Sequence, residues 1–173
     1  MIFDLNVTLG PYPFRSLRHN TAEALTALLT RHGIERALVS SLPAVFYRDA
    51  QRGNEELFAA VQPHARRLLP VATVNPRYVG WERDLADCLR AGARAFTLVP
   101  EHHGYALNDD HGRAALTRIA ATGLPLVLRQ RFEDRRQRHA WDRAEDLTPA
   151  ALLEAARAFP QLRFILVNWI GLD

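Results

Sequence analysis

The side chains of this chain that can do chemistry stand at the ends of apolar runs. In Phe3-Asp4-Leu5-Asn6-Val7-Thr8-Leu9, apolar and polar residues alternate strictly until Gly10-Pro11. A period of two belongs to a strand with two unlike faces. Asn6 and Thr8 then line a face that can hydrogen-bond a ligand, and Asp4 on that face can take a metal. Three later runs lead to further groups. Residues 93–99 lead to Glu101-His102-His103-Gly104-Tyr105, residues 124–128 to Arg129 and then Glu133-Asp134-Arg135, and residues 162–167 to Asn168-Trp169. Imidazole and carboxylate groups suit proton transfer, so His103, Glu133 and Asp134 are the candidate catalytic residues. Amide, hydroxyl and guanidinium groups suit the holding of an anion, so Asn6, Thr8, Arg15, Arg129 and Asn168 are the candidate substrate-binding residues. Each has a plainer reading. His102-His103 can be solvated loop, Glu133-Asp134-Arg135 can be loop ion pairs, and Asn6 with Arg129 can be a buried polar network without chemistry.

Composition narrows the choice. All 22 basic residues are arginine, so Schiff-base lysine, carbamylated-lysine and phosphate-loop lysine chemistries are excluded. The net charge is only +3 and acids are interspersed among the arginines, which argues against a nucleic-acid partner. No run approaches the ~18 apolar residues of a membrane span, and Asp4 interrupts any signal-peptide core. A cytoplasmic protein without nucleic-acid or membrane partners is expected, with a homo-oligomer allowed. The single Cys88 cannot form an internal disulfide and reads as a buried, inert thiol.

These groups are positioned by alternating strands and helices. The first strand is followed by a helix over 21–32, a strand over 36–42, a helix over 54–61 and a strand over 68–74. A helix over 81–91, a strand over 93–99, a helix over 112–122 and a strand over 124–128 come next. A helix over 149–159 and a strand over 162–167 complete the series. Gly33, Gly92 and Gly123 each follow a helix and precede a strand, the connection of successive βα units. The strands are mostly apolar on both faces, as in a parallel sheet covered by helices. Six strands admit an open doubly wound sheet or a (β/α)8 TIM barrel of about 250 residues. Gly10-Pro11-Tyr12-Pro13 is no phosphate-cradling turn, because two prolines present no N–H groups. In both folds ligands bind beyond the carboxyl ends of the strands, where the residues above lie.

The first strand resembles the opening of the amidohydrolase superfamily, in which an Asp-x-His-x-His-x-Gly run supplies two metal ligands. Val74-Asn75-Pro76, Pro100-x-x-His103-Gly104-Tyr105 and Gly123-Leu124-Pro125 resemble its amidohydrolase-related, metal-dependent hydrolase group in order and spacing. The resemblance runs over essentially the whole chain. It implies a distorted (β/α)8 barrel, here one domain over 1–173 lacking its last two units, and a hydrolase or nonoxidative decarboxylase. Carried over residue by residue, the histidine positions hold Asn6, Thr8, Arg129 and Asn168, and the strand-eight aspartate has no counterpart. A divalent zinc or manganese is the expectation for the group, but these side chains are poor ligands and Arg129 repels a cation. The expected function is hydrolysis or decarboxylation of a small organic acid or cyclic ester or amide, with a degenerate metal site and an anionic small-molecule substrate. The alternative is a non-catalytic relative serving as an anion-binding or scaffold protein. Arg15 and Asn54 also read as rim-loop organisers, Trp169 as pocket wall or core, and His19, His32 and His64 as surface or capping groups.

Overall fold

The computed structural model describes residues 2–171. Six strands form one sheet in chain order: β1 Phe3–Leu9, β2 Arg36–Ser41, β3 Leu68–Thr73, β4 Ala95–Leu98, β5 Leu126–Arg129 and β6 Phe164–Val167. Every neighbouring pair is parallel. The connections carry α1 Ala22–Arg31, α2 Pro43–Phe46, α3 Ala50–Val61, α4 Trp81–Arg90, α5 Pro100–His103, α6 Asp110–Thr122 and α7 Pro149–Ala158. Among the described residues no helix is long and apolar enough to cross a membrane.

Strand order never reverses, so right-handed crossovers put the helices on one side of the sheet. A doubly wound sheet requires such a reversal. A twisted sheet covered on one side curls toward its bare face, and the result is six units of an incomplete (β/α) barrel. The curl is visible in one side chain. Arg129 of β5 hydrogen-bonds Asn6 of β1 and Ser40 of β2. In a flat sheet β5 and β1 would be separated by ~19 Å, at ~4.8 Å per strand, far beyond the reach of an arginine. On the concave face Leu38, Leu69, Val71, Ala95, Val127 and Val167 pack together. The alternate residues, such as Val39, Leu68, Phe96 and Leu128, pack with the helices.

The first strand departs from the expected strict alternation. Phe3 pairs with Arg36 and Asp4 with Ala37, but Val7 pairs with Val39 and Thr8 with Ser40. Three steps on β1 oppose two on β2, which is a bulge. Phe3 and Val7 therefore lie on opposite faces. The strand is an edge rather than buried, with Phe3 43% and Leu5 41% exposed. The one-turn helices α2 and α5 are too short to show a helical period in the sequence. Helix α3 begins four residues before the expected start, because Asp49 caps it by accepting from the Gln51 N–H at 3.1 Å.

Two side chains join these elements at the carboxyl end of the sheet. Asn54 of α3 is 1% exposed and clasps one residue of β3, donating to the Thr73 carbonyl at 2.8 Å and accepting from the Thr73 N–H at 2.8 Å. His103 of α5 donates from Nε2 to the Ala44 carbonyl of α2 at 3.2 Å. On the other side of α2, Gly53 permits close contact: a Cβ there would stand 2.7 Å from the Ala44 Cβ.

Asn54→Ala strands two buried backbone groups. It is expected to lower the unfolding free energy by on the order of 2–4 kcal/mol, read as a reduced urea midpoint at unchanged slope. His103 gives a pH signature. Burial pushes its imidazole down to about 4, whereas an unfolded histidine titrates near ~6.5. The unfolded chain takes up the proton first, so this contribution to stability is present above about pH 6.5 and lost as pH falls toward 4. Glu101 acts in the opposite sense. Burial raises its carboxyl to about 7, so its contribution is lost as pH rises from the ordinary carboxylate range through 7. Thermal unfolding of His103→Gln beside the parent chain separates the two: the acid-side loss of melting temperature should shrink in the variant. Equal slopes would assign that loss to other groups.

Candidate functional site

The floor of the barrel mouth is Arg129, the last residue of β5. It is 7% exposed, its Nε donates to Asn6 Oδ1 at 3.2 Å, and one Nη donates to the Ser40 hydroxyl at 2.9 Å. Its Cζ sits over the Phe132 ring, 5.3 Å from the centroid. The remaining nitrogen, Nη1, is buried without a partner. Burial alone pulls the guanidinium down to about 10, so it stays charged at neutral pH. Among the described residues no carboxylate pairs with it. A buried cation with a free pair of N–H donors, and no counter-ion among the described residues, is chemically able to hold an anion.

Aromatic rings stand above this floor. Phe132 meets His102 edge-on at 5.4 Å, and His102 meets Phe46 edge-on at 5.3 Å. Phe46 packs with Tyr12 and Phe14, and Phe14 stacks on His139 at 4.8 Å with the planes 8° apart. The rings come from the loops after β1, β2, β4 and β5. Polar groups sit among them. His102 Nε2 lies 3.3 Å from Asp142 Oδ1. Buried Glu133 pairs with Arg15, whose guanidinium lies over the Tyr12 ring. Burial, with Glu133 beside it, pushes the Tyr12 hydroxyl up. The loop carrying Phe132, Glu133, His139 and Asp142 is held by Asp146, which pairs with Arg138 at 2.8 Å, Arg135 at 3.1 Å and Arg131 at 3.6 Å.

The residues singled out in the sequence separate into two groups. Asn6, Arg129, Arg15 and Glu133 meet at the mouth. Thr8 lies beside them, paired in register with Ser40. Asn168, with φ 58°, turns to the Arg131 carbonyl at 3.1 Å and orders the start of the β5–α7 loop. Asp134 organises that loop instead of facing the mouth. It accepts from the Arg136 N–H and its guanidinium at 2.9 Å, which holds its carboxyl below the usual range. His103 faces α2, and its neighbour His102 faces the aromatic wall. One helical step rotates a side chain by ~100°, so which histidine points inward depends on how α5 is seated. Phe132 and Asp142 carry no sequence signal beyond following a strand, and Ser40 none beyond standing near the carboxyl end of β2. Asn54, expected as a rim-loop organiser, instead clasps the last residue of β3, and Cys88 is buried, its thiol pushed up to about 12 by burial and by Asp84 and Asp87.

Asn6 spends its carbonyl oxygen on the Arg129 guanidinium, and that positive charge disfavours a divalent cation beside it. A separate cleft of about 260 Å³, lined by Leu9, Ala22, Pro43 and Leu57, shares no residue with the Arg129 group.

No protein-family model matches the sequence, and no curated protein matches it significantly. Solved structures do. A TIM-barrel protein of Bordetella bronchiseptica superposes with a TM-score of 0.67 at 14% identity, over 94% of this chain and 65% of that one. A dihydroxybenzoic acid decarboxylase of Polaromonas, with bound manganese and the inhibitor 2-nitroresorcinol, gives 0.65 at 18% identity, over 95% and 64%. A probable 2-pyrone-4,6-dicarboxylic acid hydrolase of Acinetobacter baumannii, with citric acid bound, gives 0.61 at 13% identity, over 95% and 56%. The chain thus spans between about half and two thirds of these structures. Its structural neighbours include a hydrolase, a decarboxylase and a protein named for its TIM barrel, and it has their fold over six consecutive parallel strands.

Proposed function

We propose that this chain forms the substrate-anchoring part of a hydrolase, or of a nonoxidative decarboxylase, acting on a small planar carboxylic acid. The observation that carries this reading is the buried Arg129 guanidinium with its free Nη1 and no counter-ion. A ligand carboxylate would complete its donor set, and in a poorly hydrated mouth that ion pair is stronger than in water. The Phe132, His102 and Phe46 rings favour a flat, unsaturated or aromatic body on the carboxylate. The acids named for the neighbours, dihydroxybenzoate and 2-pyrone-4,6-dicarboxylate, are of this kind.

Arg129 is best suited to anchor a carboxylate that does not react. Gripping the carboxylate about to be lost would stabilise the ground state more than the transition state, in which that charge disperses. Hydrolysis of a ring ester or amide that bears a separate carboxylate therefore ranks first, and decarboxylation of a diacid second. The positive charge at this position comes from the chain itself, in keeping with a degenerate metal site. An anion-binding protein without turnover would use the same Arg129 and differs only in the outcome below.

Titration calorimetry with benzoate, 2,6-dihydroxybenzoate and 2-pyrone-4,6-dicarboxylate tests the anchor. Arg129→Leu is expected to weaken binding about tenfold to a hundredfold, while the neutral amides of the same acids bind neither protein. Equal affinity in the two proteins would refute the anchor. Lactone opening or carbon dioxide release from the same panel separates an enzyme from a binding protein. Ligand should raise the melting temperature of the parent chain more than that of Arg129→Leu at the same concentration.

A further inference from the structure

We propose that His102, aligned by Asp142, is the proton carrier of this site, with Nδ1 as its working nitrogen. This deepens the reading of Arg129 as the anchor and rests on it for the placement of a substrate beside the imidazole. The His102 and Asp142 side chains are 12% and 4% exposed, with Nε2 3.3 Å from Oδ1. The two atoms stand at ion-pair distance with the Nε2 hydrogen bond not geometrically closed; because a carboxylate oxygen only accepts, Asp142 favours the tautomer with the hydrogen on Nε2 and the lone pair on Nδ1. Phe46 and Phe132 hold the ring edge-on from two sides, and Phe132 is also the ring over which Arg129 lies. The imidazole and the anchor therefore share a wall.

The charged and titratable groups facing the ring are Asp142, which favours its protonation, Arg138, which opposes it, and His103 alongside. Burial tips the balance toward the neutral form, the form a base needs at neutral pH. In a hydrolytic step Nδ1 would take a proton from the attacking water. The N–H bond forms as the O–H bond breaks, and the hydroxide adds to the carbonyl carbon. Asp142, 3.3 Å from Nε2, offsets the imidazolium charge. As the ring bond opens, the same proton passes to the leaving oxygen or nitrogen, which restores the neutral imidazole. Asp142 is a positioning residue in this scheme.

Histidine-labelled NMR tests the proposal without a known substrate, with His102→Gln assigning the resonance. In the parent chain His102 is expected as the Nε2–H tautomer, titrating below the ordinary ~6.5. Asp142→Asn and Asp142→Ser should each lower its midpoint by about one pH unit or more. An Nδ1–H tautomer in the parent chain, or an unmoved midpoint in whichever Asp142 variants fold, overturns the proposal. Saturating benzoate should raise the His102 midpoint in the parent chain and not in Arg129→Leu. Benzoate that binds through Arg129 yet leaves His102 unmoved overturns the proton carrier and spares the anchor. Benzoate that does not bind removes the anchor, and the titration and tautomer then decide the dyad by themselves. On any panel compound turned over, His102→Gln should lower kcat about a hundredfold or more with KM little changed; an undiminished kcat rejects the role.

Discussion

The structure turns on the hydrogen bonds that Arg129 makes across the inside of the barrel. They join β5 to β1 and β2, residues 123 and 89 positions away in the chain. Such bonds exist only because the sheet curls, and they in turn hold the mouth of the curled sheet at one width. Burying a guanidinium costs several kcal/mol unless its donors are engaged. Asn6, Ser40 and the face of Phe132 offset part of that cost, and Nη1 remains for an anion. The fold thus tolerates a charge at its floor whose donors its own residues engage only in part.

The walls above that floor follow a different logic. They are loops, and loops carry specificity because the rigid sheet beneath them fixes only their ends. Here they are tied to one another by side chains. Phe14 stacks on His139, Arg15 pairs with Glu133, and His103 fastens α5 to α2. These ties bring His102 and Asp142, from different loops, into register with the Arg129 wall. Exposed apolar side chains stand on both outer strands, Phe3 and Leu5 of β1 and Leu166 of β6, while the most exposed of all, Val79 and Trp141, stand on loops. Among the described residues β1 and β6 are the outer strands of the curled sheet.

The order of strands and helices could be read along the sequence, because each element declares itself within a few residues. Periodicity placed six strands, and Gly33, Gly92 and Gly123 marked three helix ends. The bulge in β1 escaped, since the residues of Phe3–Leu9 alternate perfectly and only pairing with β2 reveals three steps against two. The helices α2 and α5 escaped because one turn has no period to detect. Strand-end position was enough to pick out Asn6 and Arg129, but not which of two adjacent histidines faces inward.

The local sequence by itself determined the βα alternation, the polar character of the strand ends, and the absence of lysine and disulfide chemistry. These depend on residue type and on spacing over a few positions. Only the tertiary structure decided that Asn6, Ser40 and Arg129 share one charge, that His102 rather than His103 meets a carboxylate, and that Asp134 serves its own loop. Those outcomes depend on how far the sheet curls and on how each one-turn helix seats against its neighbour. Both are set by packing between segments far apart in the chain, which no local pattern encodes.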